Sequence, residues 1–95
     1  MSGVVEAGPL LDSLLDLASE AGLEVRRAPR PRGDEPAAQS DTCRVRGRTW
    51  VVLSAADPLE RQIDVLAAAL RNEAGGLLAG RFLPPAVRLR IDGEG

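Results

Sequence analysis

Chemistry near neutral pH needs a side chain that can hold and release a proton, and this sequence offers few. It contains no His and a single thiol, Cys43. That inventory excludes a nucleophile activated by His, a His-bearing zinc site, a paired-cysteine metal clip and an intramolecular disulfide. Ser13, Ser40 and Ser54 have neither His nor Lys to serve as base. Cys43 has no imidazole to activate it, and a thiol beside Arg44 on a strand reads as a packed, inert residue. Carboxylates remain, and of these only Asp57 borders a segment expected to be buried, where its place before Pro58 suits a helix cap. Gly75, Gly76 and Gly80 match no phosphate-cradling pattern. No catalytic, cofactor-binding or metal-binding residue is expected, and the chain is expected not to be an enzyme.

Arginine is the one functional side chain in supply. All twelve basic residues are Arg, and seven fall between Arg26 and Arg48. The first 25 residues carry Glu6, Asp12, Asp16, Glu20 and Glu24 and no base. A guanidinium grips phosphate or carboxylate with two parallel hydrogen bonds. Arg44, Arg46 and Arg48 around a hairpin are therefore a candidate anion site, with Trp50 near enough to stack a base. The competing account is a solvated hairpin whose charges protect a sheet edge. A pI near 5.1 and a lone Trp weigh against nucleic acid.

The elements that must position these residues follow from spacing. With 95 residues, 44% of them hydrophobic and 2% aromatic, the chain suits one domain with a small aliphatic core. From Pro9, the residues Leu10, Leu11, Leu14, Leu15, Leu17, Ala18 and Ala21 recur at helical spacing, with Asp12, Asp16 and Glu20 on the opposite face and Gly22 as terminator. Leu23–Arg27 alternates as a strand does. Residues 28–40 hold Pro29, Pro31, Gly33 and Pro36 and are expected to form a mobile loop. Thr42–Val45 and Thr49–Leu53 read as strands joined at Arg46-Gly47, with the orientation of Trp50 left open by the loop length. Val51, Val52 and Leu53 in succession suggest a strand covered on both faces for at least part of its length. Asp57, Pro58 and Glu60 announce a second helix, with Leu59, Ile63, Leu66 and Leu70 along one face and Gly75-Gly76 at its end. Leu77, Leu78, Phe82 and Leu83 follow as a plug on the core. After Pro84-Pro85, residues 85–91 fit a strand by alternation and a helix by the proline start; both stay open.

The expected fold is α+β, in the order α-β-β-β-α with a short C-terminal element, and a small, mostly antiparallel sheet covered by helices. The expected domain spans residues 9–92, with flexible ends at 1–8 and 93–95.

Two resemblances bear on this plan. Cys43-Arg44-Val45-Arg46-Gly47-Arg48, the strand to Leu53, the helix from Pro58 to Arg71 and Leu83-Pro84-Pro85-Ala86-Val87-Arg88 together resemble a family of small bacterial proteins without an assigned activity. In that family a "CRVKG" hairpin and a "PPAVR" tail recur, and the resemblance implies an α+β fold with a helical tail. More distantly, the strand leading into Leu59–Leu70 is similar to the zinc-binding segment of ImmA/IrrE-type metallopeptidases. On that alignment the metal-binding His positions fall on Ala68 and Asn72 and the general-base Glu on Ala69, so the resemblance implies a scaffold without the peptidase's chemistry.

The function expected is that of a non-catalytic domain that binds a protein partner or itself, homodimerisation included, with Leu77, Leu78 and Phe82 as interface candidates. The alternatives are an anion or nucleic-acid binder acting through the Arg-bearing hairpin, and a catalytically dead zincin-like scaffold that holds a ligand. No metal or cofactor is expected. The N-terminal residues lack the basic start and apolar run of a secretory signal, and no segment is apolar enough for a membrane span, so the cytoplasm is the expected location.

Overall fold

The computed structural model describes residues 7–92; residues 1–6 and 93–95, most of the expected flexible ends, lie outside the described residues. Three helices and three strands run in the order α1 (Ala7–Ala21), β1 (Glu24–Ala28), β2 (Asp41–Val45), β3 (Arg48–Ser54), α2 (Leu59–Ala79) and α3 (Pro85–Asp92). Ala7 and Gly8, expected in the flexible N-terminus, already belong to α1. The fold is α+β. The sheet is mixed rather than mostly antiparallel: its strand order is β1-β3-β2, with β1 parallel and β2 antiparallel to β3.

The turn explains the antiparallel half. Arg46 (φ 53°) and Gly47 (φ 80°) both sit in the left-handed region and make a two-residue hairpin turn, whose twist matches that of its strands. The hairpin leaves one side of β3 free, and β1 takes that side in the same direction as β3. Residues 29–40 then span only from one end of β1 to the same end of β2. That connection is tied down at both ends. The N–H of Ala55 donates to the carbonyl of Ala28 at 2.8 Å, and Ser40 is fully buried.

Both long helices lie on one side of the sheet, α1 against β1 and α2 against β3 and β2, while α3 touches α1 and α2 and no strand. One core results, from Leu10, Leu11, Leu14 and Leu17 of α1, Val51 and Leu53 of β3, Ile63, Leu66 and Leu70 of α2, and Leu83, Val87 and Ile91. Side chains alternate across a strand. Val51 and Leu53 therefore face this core, while Trp50 and Val52 face away from it and stay half-buried. The expectation that β3 is covered on both faces for part of its length holds at its end, where Ser54 on the outer side is buried beside Ser40, and not at Trp50 and Val52, over which no described helix or strand lies. Residues 85–91 form a helix, the open choice at the proline pair.

The start and end of α2 also differ from expectation. Pro58 is the cap residue and no side chain caps the helix; the N–H groups of Arg61 and Gln62 donate to the Pro58 carbonyl. Gly75-Gly76 does not end it. The break falls at Ala74, which is non-helical at φ −131° and ψ 22°, and the chain resumes helical geometry to Ala79. Leu78 thereby turns into the core while Leu77 points outward.

Candidate functional site

The hairpin does not gather its arginines. Residues paired across β2 and β3 share a face, so Arg44 opposite Thr49 belongs to the helix side and Arg48 opposite Val45 to the outer side. Arg46 occupies the apex between them. Arg44 donates to Oε1 of Glu73 on α2 and to the Gly47 carbonyl, each at 3.4 Å. It is half committed to holding the hairpin against α2. Arg44, Arg46 and Arg48 thus do not converge as the sequence suggests: residues two apart share a face only along an unbroken strand, and the turn at Arg46-Gly47 reverses the chain so that Arg44 and Arg48 fall on neighbouring rungs, which point to opposite faces.

What converges instead is the outer side of the sheet. Glu24 and Arg26 of β1, Arg48, Trp50 and Val52 of β3, and Asp41, Cys43 and Val45 of β2 all belong to it by register. The guanidinium of Arg26 lies over the Trp50 ring at 4.7 Å from its centroid and pairs with Glu24 at 3.3 Å. A cation on an indole face is attracted by the ring quadrupole, which ties the Arg26 side chain to Trp50 across the two strands. Cys43 is exposed, not packed, because β2 is the edge strand and all five of its residues are open to solvent.

The interface expected at Leu77, Leu78 and Phe82 is split. Leu78 is part of the core and is removed from that surface. Leu77 is open, and Phe82 is 85% exposed at the rim of a groove of about 220 Å³ that Ser13, Asp16, Glu20, Arg81 and Pro84 also line. Arg81 reaches across that groove to pair with both carboxylate oxygens of Glu20, so one member of the acidic row on α1 has a partner while Asp12 and Asp16 stay solvated.

A polar cluster that spacing does not reveal lies at the far end of the sheet from the hairpin. The Ser54 N–H donates to Oγ of buried Ser40 at 2.9 Å, and the Ser40 N–H donates to Oδ2 of Asp57 at 2.8 Å. The Ala56 N–H donates to Ser54 Oγ, and Gln62 Nε2 donates to the Asp57 carbonyl. The Ser40 hydroxyl first, the Ser40 N–H next and nearby Arg61 all favour the charged carboxylate and hold Asp57 below the ordinary Asp value, against a smaller opposing effect of burial. Asp57 therefore pins the returning loop instead of capping α2. The only signal in the sequence is an Asp-Pro pair, and that pair suits a cap equally well.

On the α2 face singled out by the metallopeptidase resemblance, Ala69 is buried, Asn72 is exposed, and Ala68 borders a depression of about 250 Å³ shared with Asp41, Thr42, Arg61, Asp64 and Val65. Among the described residues no group of three or more His, Cys, Asp or Glu side chains is placed to hold a metal ion, and no helix is long and apolar enough to cross a membrane.

No family model, no curated protein and no solved structure matches the chain.

Proposed function

We propose that this chain is a non-catalytic protein-interaction domain that works through the uncovered side of its sheet. The observation that carries the proposal is that Trp50 and Val52 of the central strand face away from the core, with Val45 and Cys43 beside them, and no described element covers them. All-parallel sheets have both faces covered, whereas the parallel β1–β3 pair here is covered on one face only. Trp is also the side chain that contributes most often to contact energy in interfaces. Capture experiments with the wild type, Trp50→Glu and Phe82→Glu test it: partners retained by the wild type and by Phe82→Glu should be lost with Trp50→Glu. Captured proteins other than a second copy of this chain that are indifferent to Trp50, or substrate turnover by the pure protein abolished by one side-chain change, would count against it.

The same side supports a second reading, an anion or nucleic-acid strand held by Arg26, Arg46 and Arg48 with Trp50 as the stacking platform. Such binding falls steeply with salt and weakens when Arg46 and Arg48 become Gln. Contact with a protein through Trp50 and Val52 keeps most of its affinity at high salt.

A further inference from the structure

We infer that β2 pairs with β2 of a second copy, antiparallel about a two-fold axis through Cys43, to make one continuous six-stranded sheet. The inference goes beyond the open-face reading above: it concerns the edge of the sheet, and the partner there is a second copy of this chain. The hydrogen-bond parity of β2 leads to it. In a hairpin with a two-residue loop the flanking residues, here Val45 and Arg48, exchange both backbone hydrogen bonds, and such pairs alternate with non-bonded ones. Val45, Cys43 and Asp41 therefore turn their N–H and C=O groups toward β3, and Thr42 and Arg44 turn theirs outward. The Thr42 N–H is accordingly outside the ladder: it donates to Oδ1 of its neighbour Asp41 at 2.7 Å.

Two outward residues spaced by two make a self-complementary edge. Across a two-fold axis at Cys43, Thr42 of each copy lies opposite Arg44 of the other, and the pair can exchange both hydrogen bonds. The charges agree with the same register. Asp41 stands at one end of β2 and Arg46 just past the other, so antiparallel pairing sets each carboxylate beside the second copy's Arg46. Asp41 then leaves the Thr42 N–H to the second copy's Arg44 carbonyl. On the helix side, the depression lined by Thr42, Asp64 and Ala68 opens beside this edge, within reach of the second copy's Arg44 if that guanidinium exchanges Glu73 for Asp64. The other sheet edge is less suited, because β1 carries Arg26 and Arg27 side by side and a two-fold pairing there would oppose guanidinium groups. Of the devices that block such an edge, β2 has neither Pro, bulge nor covering element and carries only the charges of Asp41 and Arg44, which the two-fold register sets beside opposite charge or an uncharged residue. Pairing of five residues covers less than the area of a permanent dimer, so the association is reversible and rises with concentration.

Cys43 supplies a direct readout. Opposite residues in a non-bonded antiparallel pair have Cα atoms about 4.5 Å apart, at the short end of the range a disulfide spans. Diamide takes two electrons and two protons from two Cys43 thiols, leaving an intermolecular disulfide and the reduced hydrazine. The full chain treated with diamide should give a covalent dimer, and the Cys43→Ser variant should still dimerise reversibly by sedimentation equilibrium. Thr42→Pro removes only the outward N–H, leaves the ladder to β3 intact, and should weaken dimerisation roughly tenfold or more, since two hydrogen bonds are lost per dimer. Its circular dichroism should match that of the wild type; if it does not, Asp41→Arg, which sets like charges at both ends of the pair, is read instead. Trp50→Glu should leave the dimer in place. Monomer alone up to about 1 mM, the weak end of measurable association, overturns the inference. So does a dimer indifferent to Thr42→Pro and Asp41→Arg. If Trp50→Glu alone disperses the dimer, copies meet through the open face, which removes the edge pairing and leaves the proposed function standing.

Discussion

Asp57 shows how one side chain that looks like a helix cap acquires a different role. Its carboxylate takes the Ser40 N–H, and Ser40 in turn presents Oγ to the buried end of β3. Ser40→Ala leaves the Ser54 N–H without a partner where no water reaches it, at a cost of about 1–3 kcal/mol, which urea denaturation measures. The same cluster sets a pH dependence. The folded Asp57 value lies below its unfolded one, so its contribution is complete above the ordinary Asp range near 3.8 and is lost as pH falls through the lower folded value. Denaturation midpoints followed from pH 6 down to about 2.5 should decline more steeply for the wild type than for Asp57→Asn, which has no carboxylate to protonate. Equal slopes would mean that the Ser40 contact does not favour the ion.

At the scale of elements, the hairpin offers a pair of opposite predictions at adjacent positions. Gly47 occupies φ 80° and Arg46 φ 53°. Gly47→Ala puts a Cβ into the left-handed region and should cost about 1–2 kcal/mol. Arg46→Asn completes the Asn-Gly pair that such turns favour and should gain about 0.5 kcal/mol. This turn is legible in the sequence because Arg46-Gly47 lies between two β-rich runs; α1 and the body of α2 are legible because their Leu and Ile residues repeat every three or four. The place of β1 is not, since the choice between the far side of β3 and the side of β2 depends on chain far away, and no local spacing encodes it. The anion site fails to form for a related reason: three arginines at every second position look clustered on paper, and the pleat and the turn send them to different sides. The C-terminal helix is hidden in another way. Val87, Leu89 and Ile91 alternate as a strand would, yet Val87 and Ile91 are also four apart; only these two are buried, while Leu89 is 51% exposed. Ile91→Ala should therefore cost about 2–5 kcal/mol in a denaturant titration. Leu89→Ala should change stability by only about 0.5 kcal/mol or less.

For the whole molecule, the decisive asymmetry is that one core serves one side of the sheet. The shortest dimension is 19 Å, close to the depth of one helix layer on one sheet. Val51 and Leu53 are sealed beneath α1 and α2, whereas Val52, between them on the same strand, is spent on a surface that water reaches. Stability and contact should separate along β3. Leu53→Ala opens a cavity in the core and should cost about 2–5 kcal/mol. Val52→Thr adds a hydroxyl to a half-open position and should cost about 1 kcal/mol or less. The order should reverse in binding, where Val52→Thr weakens contact with a partner and Leu53→Ala, measured where it remains folded, does not. Trp50 reports the same surface optically: its emission should resemble that of a partly hydrated indole in the free protein and move to shorter wavelength when a partner excludes water. A Val52→Thr penalty as large as that of Leu53→Ala would mean that the outer side is packed as a second core. The interaction reading would then have lost its surface.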